Sequence, residues 1–438
     1  MRAIDTWEMQ RLRRIKQLGF ASLGYGGADH SRLSHSVGCV HRVEQILATM
    51  EAIEGIRIEP EARLVARLYA LVHDVAHIPY GHTIEDEFAL FPPHDVNTHR
   101  INRLLLSQGS ELGQHLEKNE IGRHVRQHFD PSATVLQHGV IKELVAGSVG
   151  ADLLDYIDRD AHYCGLDHRV DSALFRQFRL AARSTGADSR VVSLLHATYG
   201  LRTDREYAVE ATMLERYALF LKVYTHRTKA KASALLGKAM CLAMTTGESA
   251  LITEEELEQM GDDELVSVLA TRRRKRVNDV AAHLLRRKLP TAVYRAHLLA
   301  EGERDDRNYD ARVQELERKS SPLCLFPAEA RLEVEKQLAG EVGGIGQDEV
   351  FVYVPRNAPG YKKAHGHWVV DDPSGTPRQT RSDWFNRLRE RHVGLWDLWV
   401  FVGGNADAAA QTRLGRAAEE RFGLANVIGL PRRQGRLW

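Results

Sequence analysis

The segment Leu71-Val-His-Asp-Val-Ala-His-Ile-Pro-Tyr-Gly-His82 carries more chemical information than the rest of the chain. Its adjacent His73-Asp74 pair ends an apolar run, and His77 and His82 complete three histidines within ten residues. Divalent first-row metals prefer imidazole nitrogen and carboxylate oxygen, and a catalytic ion also needs open positions for water and substrate. Polar residues that merely cap a buried helix are the alternative. The density of donors favours a metal-dependent site.

Around this segment, apolar residues recur with the period of amphipathic helices. The spacing i, i+3, i+4 and i+7 extends from Ile4 to about Leu299, as at Leu64, Leu68 and Leu71. Gly, Pro and other turn residues indicate helix breaks at positions 24–27, 91–93, 130–131 and 198–203. This part of the chain is therefore predicted to be all-helical.

The C-terminal part has a different texture. The runs Glu349–Pro355, His367–Val370 and Leu398–Val402 are short and β-rich, and Gly, Pro and Asp separate them. We therefore predict a mainly α fold with a helical domain over residues 1–300, a helical linker region over 301–348 and a small α/β module over 349–438.

The charge balance and the cysteines argue against several classes of protein. The chain has 60 Lys and Arg and 59 Asp and Glu, a net charge of +1, so no global field favours a nucleic-acid or membrane partner. Its four cysteines form no CxxC pair, and no apolar run approaches the roughly 20 residues that span a bilayer. We expect a cytoplasmic protein. The basic run Thr271–Arg276 favours a solvated helix face, with a polyphosphate or nucleic-acid contact as the alternative.

A second segment places polar side chains on one face of a helix. In Asp152-Leu-Leu-Asp-Tyr-Ile-Asp-Arg-Asp160, the positions of Asp152, Tyr156 and Asp160 are i, i+4 and i+8. Residues at this spacing share a helix face, so the three side chains can line a single pocket.

These segments together resemble the HD-domain deoxynucleoside triphosphate triphosphohydrolases, both the bacterial dGTPase type and the animal enzyme with SAM and HD domains. The resemblance runs from Ile4 to about Ala230. It rests on separate motifs in consistent order, at Asp5–Leu18, His30–Gly38, Leu71–His82, Asp152–Asp160 and Arg216–His226.

The resemblance implies one divalent cation and the histidines that work beside it. The implied metal ligands are His35, His73, Asp74 and Asp152. Asp74 thereby also belongs to the catalytic group, with His77 and His82 near the scissile phosphate and the sugar and His94 as the proton donor. For His94 a polar loop contact is the alternative, because two prolines precede it. Such ligands serve Mn, Fe, Mg, Zn and Co to differing degrees.

The resemblance also implies a set of substrate contacts. Gln17 would reach the 3′-hydroxyl and Leu18 would leave little room for a 2′-hydroxyl. Arg32 and Arg216 would bind phosphates, as arginine forks do. The remaining contacts, to the sugar and the base, would come from Tyr156, Asp160 and Tyr224. Amphipathic packing is the alternative for Gln17 and Leu18, and simple core packing is the alternative for the two tyrosines.

One position departs from the resemblance, and one group of residues is open to two interpretations. A phosphate-binding lysine of the animal enzyme is replaced here by Leu153. Asp5, Gln10 and Arg13 match residues that bind an activating guanine nucleotide in the animal enzyme, but ordinary N-terminal packing and capping is the favoured interpretation.

The sequence thus leads to three functional hypotheses. The first is hydrolysis of a dNTP to deoxynucleoside and tripolyphosphate by a homo-oligomer. The second keeps the metal chemistry but acts on nucleoside monophosphates, cyclic or signalling nucleotides, or nucleic-acid ends. The third is a nucleotide-binding regulator without turnover, which the complete set of four implied ligands argues against.

Overall fold

The computed structural model divides the chain into two compact units, each assembled from three segments. The first unit comprises Met1–Ile78, His94–Leu219 and Lys362–Leu388, and the second comprises Pro79–Pro93, Phe220–Tyr361 and Arg389–Trp438. The structure describes residues 3–130, 139–182, 191–192, 197–201, 206–244, 251–272, 274–297, 328–355, 367–369, 378–380, 384, 388, 391–392, 395–404 and 406–428. The predicted boundary at residue 300 and most of the predicted linker lie outside these residues, so the domain division stays a prediction.

Helices form most of the described part of the first unit. They are α1 Trp7–Gln10, α2 Arg32–Glu54, α3 Pro60–Val72, α4 Thr98–Ile101, α5 Glu111–Glu117, α6 Glu120–Gln127, α7 Gly139–Ala146, α8 Ala151–Tyr163 and α9 Glu206–Leu219. The long helix α2 begins after Ser31, whose hydroxyl accepts a hydrogen bond from the Ser34 N–H, and it ends at Gly55 with a φ of 66°. Both α3 and α8 pack against α2. This packing joins the first turn of α2, the end of α3 and the first turn of α8.

The opening segment Asp5–Leu18, which lies in the part predicted to be all-helical, is not one continuous helix. It forms short turns at Ala3–Asp5, α1 and Arg11–Arg14. Tertiary hydrogen bonds account for the difference: the Glu8 carboxylate accepts from the first backbone N–H groups of α5, and Arg11 donates to the Val75 carbonyl. These bonds hold the side chains of Glu8 and Arg11 in the interior, and the short turns allow both to point inward.

Two sheets in the first unit correct the prediction of an all-helical N-terminal part. The strands β1 Arg57–Ile58 and β3 Val191–Val192 are parallel, while β2 Phe178–Ala182 and β4 Ala197–Leu201 are antiparallel. The latter sheet continues through β7 His367–Val369 and β8 Arg378–Thr380, in the order β2-β4-β7-β8. The predicted strand at His367 is therefore confirmed, but its partners are β4 and β8 rather than the other predicted strands.

The second unit combines helices with a three-stranded sheet. Its helices are α10 Arg227–Met244, α11 Glu254–Leu257, α12 Asp262–Thr271, α13 Lys275–Leu285, α14 Ala328–Val342 and α15 Ala408–Phe422, and its strands are β5 Thr291–His297, β6 Val350–Tyr353 and β9 Asp397–Val402. The sheet is antiparallel in the order β5-β9-β6, and its apolar residues form one core with α14 and α15. The sequence assigns β5 to the helical region, which is wrong. A short apolar run can become either element, and here pairing with β9 decides the outcome.

The basic run at Thr271–Arg276 marks a helix break rather than a continuous helix. Arg272 pairs with Glu256, Arg274 donates to the Ala243 carbonyl, and Arg276 forms two hydrogen bonds with Asp348. These partners support the solvated-surface interpretation. The mainly helical fold class is confirmed, and in the described part of the chain no helix is both long and apolar enough to cross a bilayer.

A glycine in α10 provides a test of the core of the second unit. A Cβ at Gly237 would overlap the Phe88 ring. We expect Gly237→Ala to lower the free energy of unfolding by about 1–3 kcal/mol through overpacking. Gly340→Ala in α14 is the control, because no atom lies within 4 Å of its added Cβ. That change should raise stability by roughly 0.5–1 kcal/mol, since alanine favours a helix over glycine. Urea denaturation measures both, and equal stabilities for the two variants would contradict the packing described.

Candidate active site

The four implied metal ligands meet where α2, α3 and α8 join. His35 Nε2 lies 3.2 Å from Asp152 Oδ1 and 3.8 Å from Asp74 Oδ2. His73 Nε2 lies 3.4 Å from Asp74 Oδ1. Donor atoms about 2.1 Å from one ion are themselves roughly 3.0–3.4 Å apart. His35, His73 and Asp152 thus offer donor atoms that, together with the Cys39 sulfur, all lie within 4.8 Å of one another. Asp74 forms a neighbouring group with His77 and His94, and it approaches the first group through His35 and His73.

Both histidines among the implied ligands are oriented by hydrogen bonds on the side of the ring that faces away from the cluster. His35 Nδ1 donates to Asp155 Oδ2 at 2.8 Å, and Arg159 holds both oxygens of that carboxylate. His73 Nδ1 donates to the Ala70 carbonyl at 2.8 Å. Carboxylates and carbonyls accept the Nδ1 proton, so each ring presents the lone pair of Nε2 to the cluster. His73 Nε2 is buried and makes no hydrogen bond, as expected for an atom reserved for a ligand.

A second group of side chains surrounds the other side of Asp74. His77 Nε2 and His94 Nε2 lie 3.5 and 3.8 Å from Asp74 Oδ1, and the two imidazole rings stack with centroids 3.5 Å apart. Arg32, which is almost fully buried, donates to Asp74 Oδ2 at 3.0 Å. The arrangement places a guanidinium and two imidazoles within reach of whatever Asp74 binds.

The charges of this cluster are shifted by its burial. Burial opposes ionisation of Asp74, but the adjacent imidazoles and Arg32 outweigh it and hold the pKa of this carboxyl well below its usual range. Burial, reinforced by Arg32 and His94, holds the pKa of His77 well below its ordinary value. Burial also lowers the pKa of His35, yet the neighbouring thiol and carboxylates raise it overall. The surroundings of His35 thus favour positive charge, which a cation can supply.

Several predicted substrate residues lie in the same unit. Arg216 Nε donates to the Tyr156 hydroxyl at 2.8 Å, and His30 Nε2 lies 2.8 Å from Asp160 Oδ1. Tyr156 and Asp160 project from α8, the helix that carries Asp152. Gln17 and Leu18 lie in a turn rather than on a helix: the preceding residue, Lys16, forms an antiparallel bridge with Ser31, and the Leu18 side chain is buried.

The remaining predicted site residues have other surroundings. His82 belongs to the second unit, is exposed, and pairs with Asp86 at 2.7 Å. Tyr224, also in the second unit, contacts the Phe220 ring edge-on. Gln10 donates to the Ile4 carbonyl and accepts from Arg13, while Asp5 is exposed. The contacts of Gln10 and Arg13 agree with the packing interpretation, and the roles of all five residues stay predictions.

Sequence reasoning missed several residues around the cluster. Asp155 follows Asp152 by three positions and Cys39 follows His35 by four, so helical spacing could have indicated both. The Cys39 sulfur lies 3.5 Å from His35 Nε2. Two fully buried arginines, Arg11 and Arg100, donate to the carbonyls of Val75 and Ala76, directly after the His73-Asp74 pair. No sequence pattern distinguishes these arginines from exposed ones.

Comparison with family models identifies the class of protein. Residues 32–160 match the HD domain, and residues 201–429, more than half of the chain, match the HD associated region. The chain belongs to the HD-domain family. HD domains bind divalent metal ions, and the His and Asp side chains gathered here are positioned to hold one. The cofactor is therefore a divalent cation, and the family membership supports a phosphohydrolase.

Individual relatives match part of the chain. An uncharacterised Bacillus subtilis protein, YwfO, is 29% identical over 246 residues, which are 54% of this chain and 50% of that protein. The deoxynucleoside triphosphate triphosphohydrolase SAMHD1 homolog of Dictyostelium discoideum is 28% identical over 237 residues, 51% of this chain and 42% of that protein. The chain thus spans about half the length of the curated relatives it matches.

Solved structures share the fold over nearly the whole chain. A phosphohydrolase from Bacteroides thetaiotaomicron has a TM-score of 0.57 at 17% identity and covers 92% of this chain and 95% of its own. A hypothetical protein from Aquifex aeolicus has a TM-score of 0.59 at 19% identity, with 94% and 96% covered. At these identities the likeness shows the fold, and it agrees with the mainly helical class.

The hydrogen bond between Asp155 and His35 can be tested directly. We expect Asp155→Asn to weaken binding of Mn²⁺ by about 10–100-fold. A carboxylate fixes the His35 ring and raises the basicity of its other nitrogen, whereas a neutral amide provides neither effect to the same extent. Asp158→Asn is the control: Asp158 lies on the same helix but binds Arg42 and the Val170 N–H. Metal titration gives the affinities and circular dichroism checks the fold. Equal Mn²⁺ affinity in the two variants would exclude the orienting role of Asp155.

Proposed function

We propose that this chain hydrolyses deoxynucleoside triphosphates to deoxynucleoside and tripolyphosphate. Water adds to the α-phosphorus, the bond from this phosphorus to the 5′-oxygen breaks, and that oxygen takes a proton. The observation that carries the proposal is the convergence of His35, His73, Asp74 and Asp152, with Arg32 bonded to one of them. Relatives named as deoxynucleoside triphosphate triphosphohydrolases give further support.

The proposed roles follow from the chemistry of the side chains. A bound divalent cation supplies Lewis acidity, which activates water and neutralises phosphoryl charge. Arg32 and Arg216 present planar guanidinium groups that hold phosphate oxygens in position. His94 Nε2 points toward the cluster, and a protonated imidazole there delivers the proton that the departing 5′-oxygen needs. His77 shares the Asp74 carboxylate with it and sustains the orientation of both rings.

The nucleoside would be recognised by residues on α8 and in the turn at Gln17 and Leu18. In this proposal Gln17 and Asp160 bind the sugar, Leu18 closes off the space for a 2′-hydroxyl, and Tyr156 packs beside the sugar and base. The proposal also assigns Tyr224 to the base and His82 to the scissile phosphate and the sugar. We further propose that the protein forms a homo-oligomer. Its regulation would involve an activating nucleotide bound at Asp5, Gln10 and Arg13.

A second substrate class is favoured by one observation. Leu153, which replaces a phosphate-binding lysine of the animal enzyme, is fully buried and belongs to the hydrophobic core. One anchor for a long polyphosphate is therefore absent at that position. Hydrolysis of a shorter or cyclic nucleotide, or of a nucleic-acid end, uses the same cation and the same water and leaves orthophosphate or a linear nucleotide as product.

The products distinguish these candidates. We expect the protein loaded with Mn²⁺ to release tripolyphosphate from at least one dNTP, measured by anion-exchange chromatography. Asp152→Ala should abolish this release because a cation ligand is lost, while circular dichroism remains unchanged. Release of orthophosphate or a linear nucleotide from another substrate, with no tripolyphosphate from any dNTP, would replace the first candidate by the second.

The proton donor can be tested with two neighbouring histidines. We expect His94→Ala to lower kcat by about 10²–10⁴-fold, the usual contribution of a general acid. His99→Ala is the control, because His99 is exposed five residues further along the same segment. Steady-state assays with a saturating dNTP measure kcat for both variants. A kcat for His94→Ala within about twofold of the control would assign His94 to a polar loop contact.

A further inference from the structure

A buried cysteine lies beside one of the implied metal ligands. Cys39 follows His35 by four positions in α2, so the two side chains share a helix face, and both are fully buried. The Cys39 sulfur lies 3.5 Å from His35 Nε2 and 3.7 Å from His35 Nδ1. Because Nδ1 donates to Asp155, Nε2 is the nitrogen that remains available to a cation. The sulfur therefore lies beside the nitrogen that His35 offers to the cluster.

The separation between these two atoms matches that in a site with mixed sulfur and nitrogen ligands. Metal–sulfur bonds of about 2.3 Å and metal–nitrogen bonds of about 2.0–2.1 Å in a tetrahedral arrangement place the two donor atoms about 3.5 Å apart. His73 and Asp152 contribute one donor atom each, and the four donor atoms all lie within 4.8 Å of one another. One sulfur, two imidazole nitrogens and one carboxylate oxygen are thus gathered in one small volume.

An imidazole nitrogen in the same group calls for a ligand. The His73 side chain is only 9% exposed, and its Nε2 is buried without a hydrogen bond. Since Nδ1 of this ring donates to the Ala70 carbonyl, Nε2 carries a lone pair. Buried polar atoms are rarely left without a partner, and a cation is the partner that a lone pair among carboxylates accepts. Because the Cys39 sulfur belongs to the same group, it is a candidate ligand of that cation.

Another buried cysteine shows the ordinary alternative. A free cysteine in a protein interior usually serves as a small apolar side chain. Cys241, on α10, is buried to the same degree as Cys39, but among the described residues it belongs to no group of donor atoms that one ion can bridge. Burial alone therefore does not account for the surroundings of Cys39, which include imidazoles and a carboxylate.

We propose that Cys39 is a further metal ligand, whose thiolate joins the two imidazoles and the Asp152 carboxylate and makes the site select thiophilic divalent cations such as Zn²⁺. Thiolate sulfur is a soft donor that favours such ions, whereas Mg²⁺ and Mn²⁺ prefer oxygen donors. Burial raises the pKa of the Cys39 thiol to about 12, so the thiol keeps its proton until the cation displaces it to the solvent. The inference concerns the cation alone and holds whichever phosphoester the protein hydrolyses.

X-ray absorption at the zinc edge tests the sulfur ligand directly. The purified full-length protein is loaded with one equivalent of Zn²⁺ and compared as wild type, Cys39→Ala and Cys39→Ser. The controls are Cys241→Ser, which is matched in burial, and Cys164→Ser, which lies directly after α8 in the first unit. Circular dichroism checks that each variant is folded. Titrations with Zn²⁺ and with Mn²⁺ then give two affinities for every protein.

We expect wild type to show a sulfur neighbour about 2.3 Å from the zinc ion, besides nitrogen and oxygen neighbours at about 2.0–2.2 Å. Both Cys39 variants should lose the sulfur neighbour, and both control variants should retain it. Cys39→Ala should weaken Zn²⁺ binding by at least about tenfold and Mn²⁺ binding by less than about twofold, because only the thiophilic ion gains from sulfur. A cysteine that serves only packing would change the two affinities by the same factor.

Three outcomes would overturn the assignment of Cys39. A zinc ion bound only by nitrogen and oxygen atoms in wild type decides against it without any variant. A sulfur neighbour that persists in Cys39→Ala would come from another cysteine, and a wild-type protein that binds no Zn²⁺ would lack the proposed selectivity. These measurements contain no nucleotide. A failure to release tripolyphosphate in the separate assay therefore refutes the proposed reaction and leaves the role of Cys39 standing.

Discussion

The orientation of the His35 ring is the constraint on which the described site depends. One nitrogen donates to Asp155 on α8, and this bond leaves the other nitrogen facing Asp152 and Asp74. Because Asp155 is itself held by Arg159, a chain of hydrogen bonds runs from the surface of α8 to the cluster. The same bonds tie α2 to α8. The same hydrogen bond therefore stabilises the packing of α2 against α8 and orients His35 in the candidate cation site.

The turn that carries His73 and Asp74 is fixed by unusual means. Arg11 and Arg100 are both fully buried, and each donates to a carbonyl just after the pair. Burying a guanidinium is unfavourable unless it is well hydrogen-bonded, so these arginines are tolerated where backbone carbonyls need donors. They donate hydrogen bonds to backbone carbonyls of a loop, where no regular secondary structure pairs these groups. The opening segment is correspondingly broken into short turns, because Glu8 and Arg11 direct their side chains inward.

Such a site concentrates acids and bases in one buried volume. Asp74 is surrounded by Arg32 and four imidazoles, and its pKa is depressed although burial alone would raise it. In a low-dielectric interior these interactions are stronger than in water. Hydrogen bonds and ion pairs within the cluster fix these side chains relative to one another, and fixed charges contribute most to catalysis.

Sequence reasoning failed where one local pattern of apolar residues was compatible with both a helix and a strand. The residues Thr291–His297 contain apolar side chains at spacings compatible with a helix, yet they form the edge of a sheet because β9 offers a buried partner 100 residues later. His367–Val369 was correctly expected to be a strand, but its neighbours came from β4 and β8. Pairing partners depend on long-range contacts that a local pattern does not encode.

The sequence by itself determined the helical periodicity, the donor types at His35, His73, Asp74 and Asp152, and the shared face of Asp152, Tyr156 and Asp160. These follow from spacing and side-chain chemistry, which are local properties. Only the tertiary structure decided that Asp155 orients His35, that His30 lies beside Asp160, and that Arg11 and Arg100 support the turn. These partners lie between 24 and 130 positions apart, and only the packing of α2, α3, α8 and the opening segment brings them into contact.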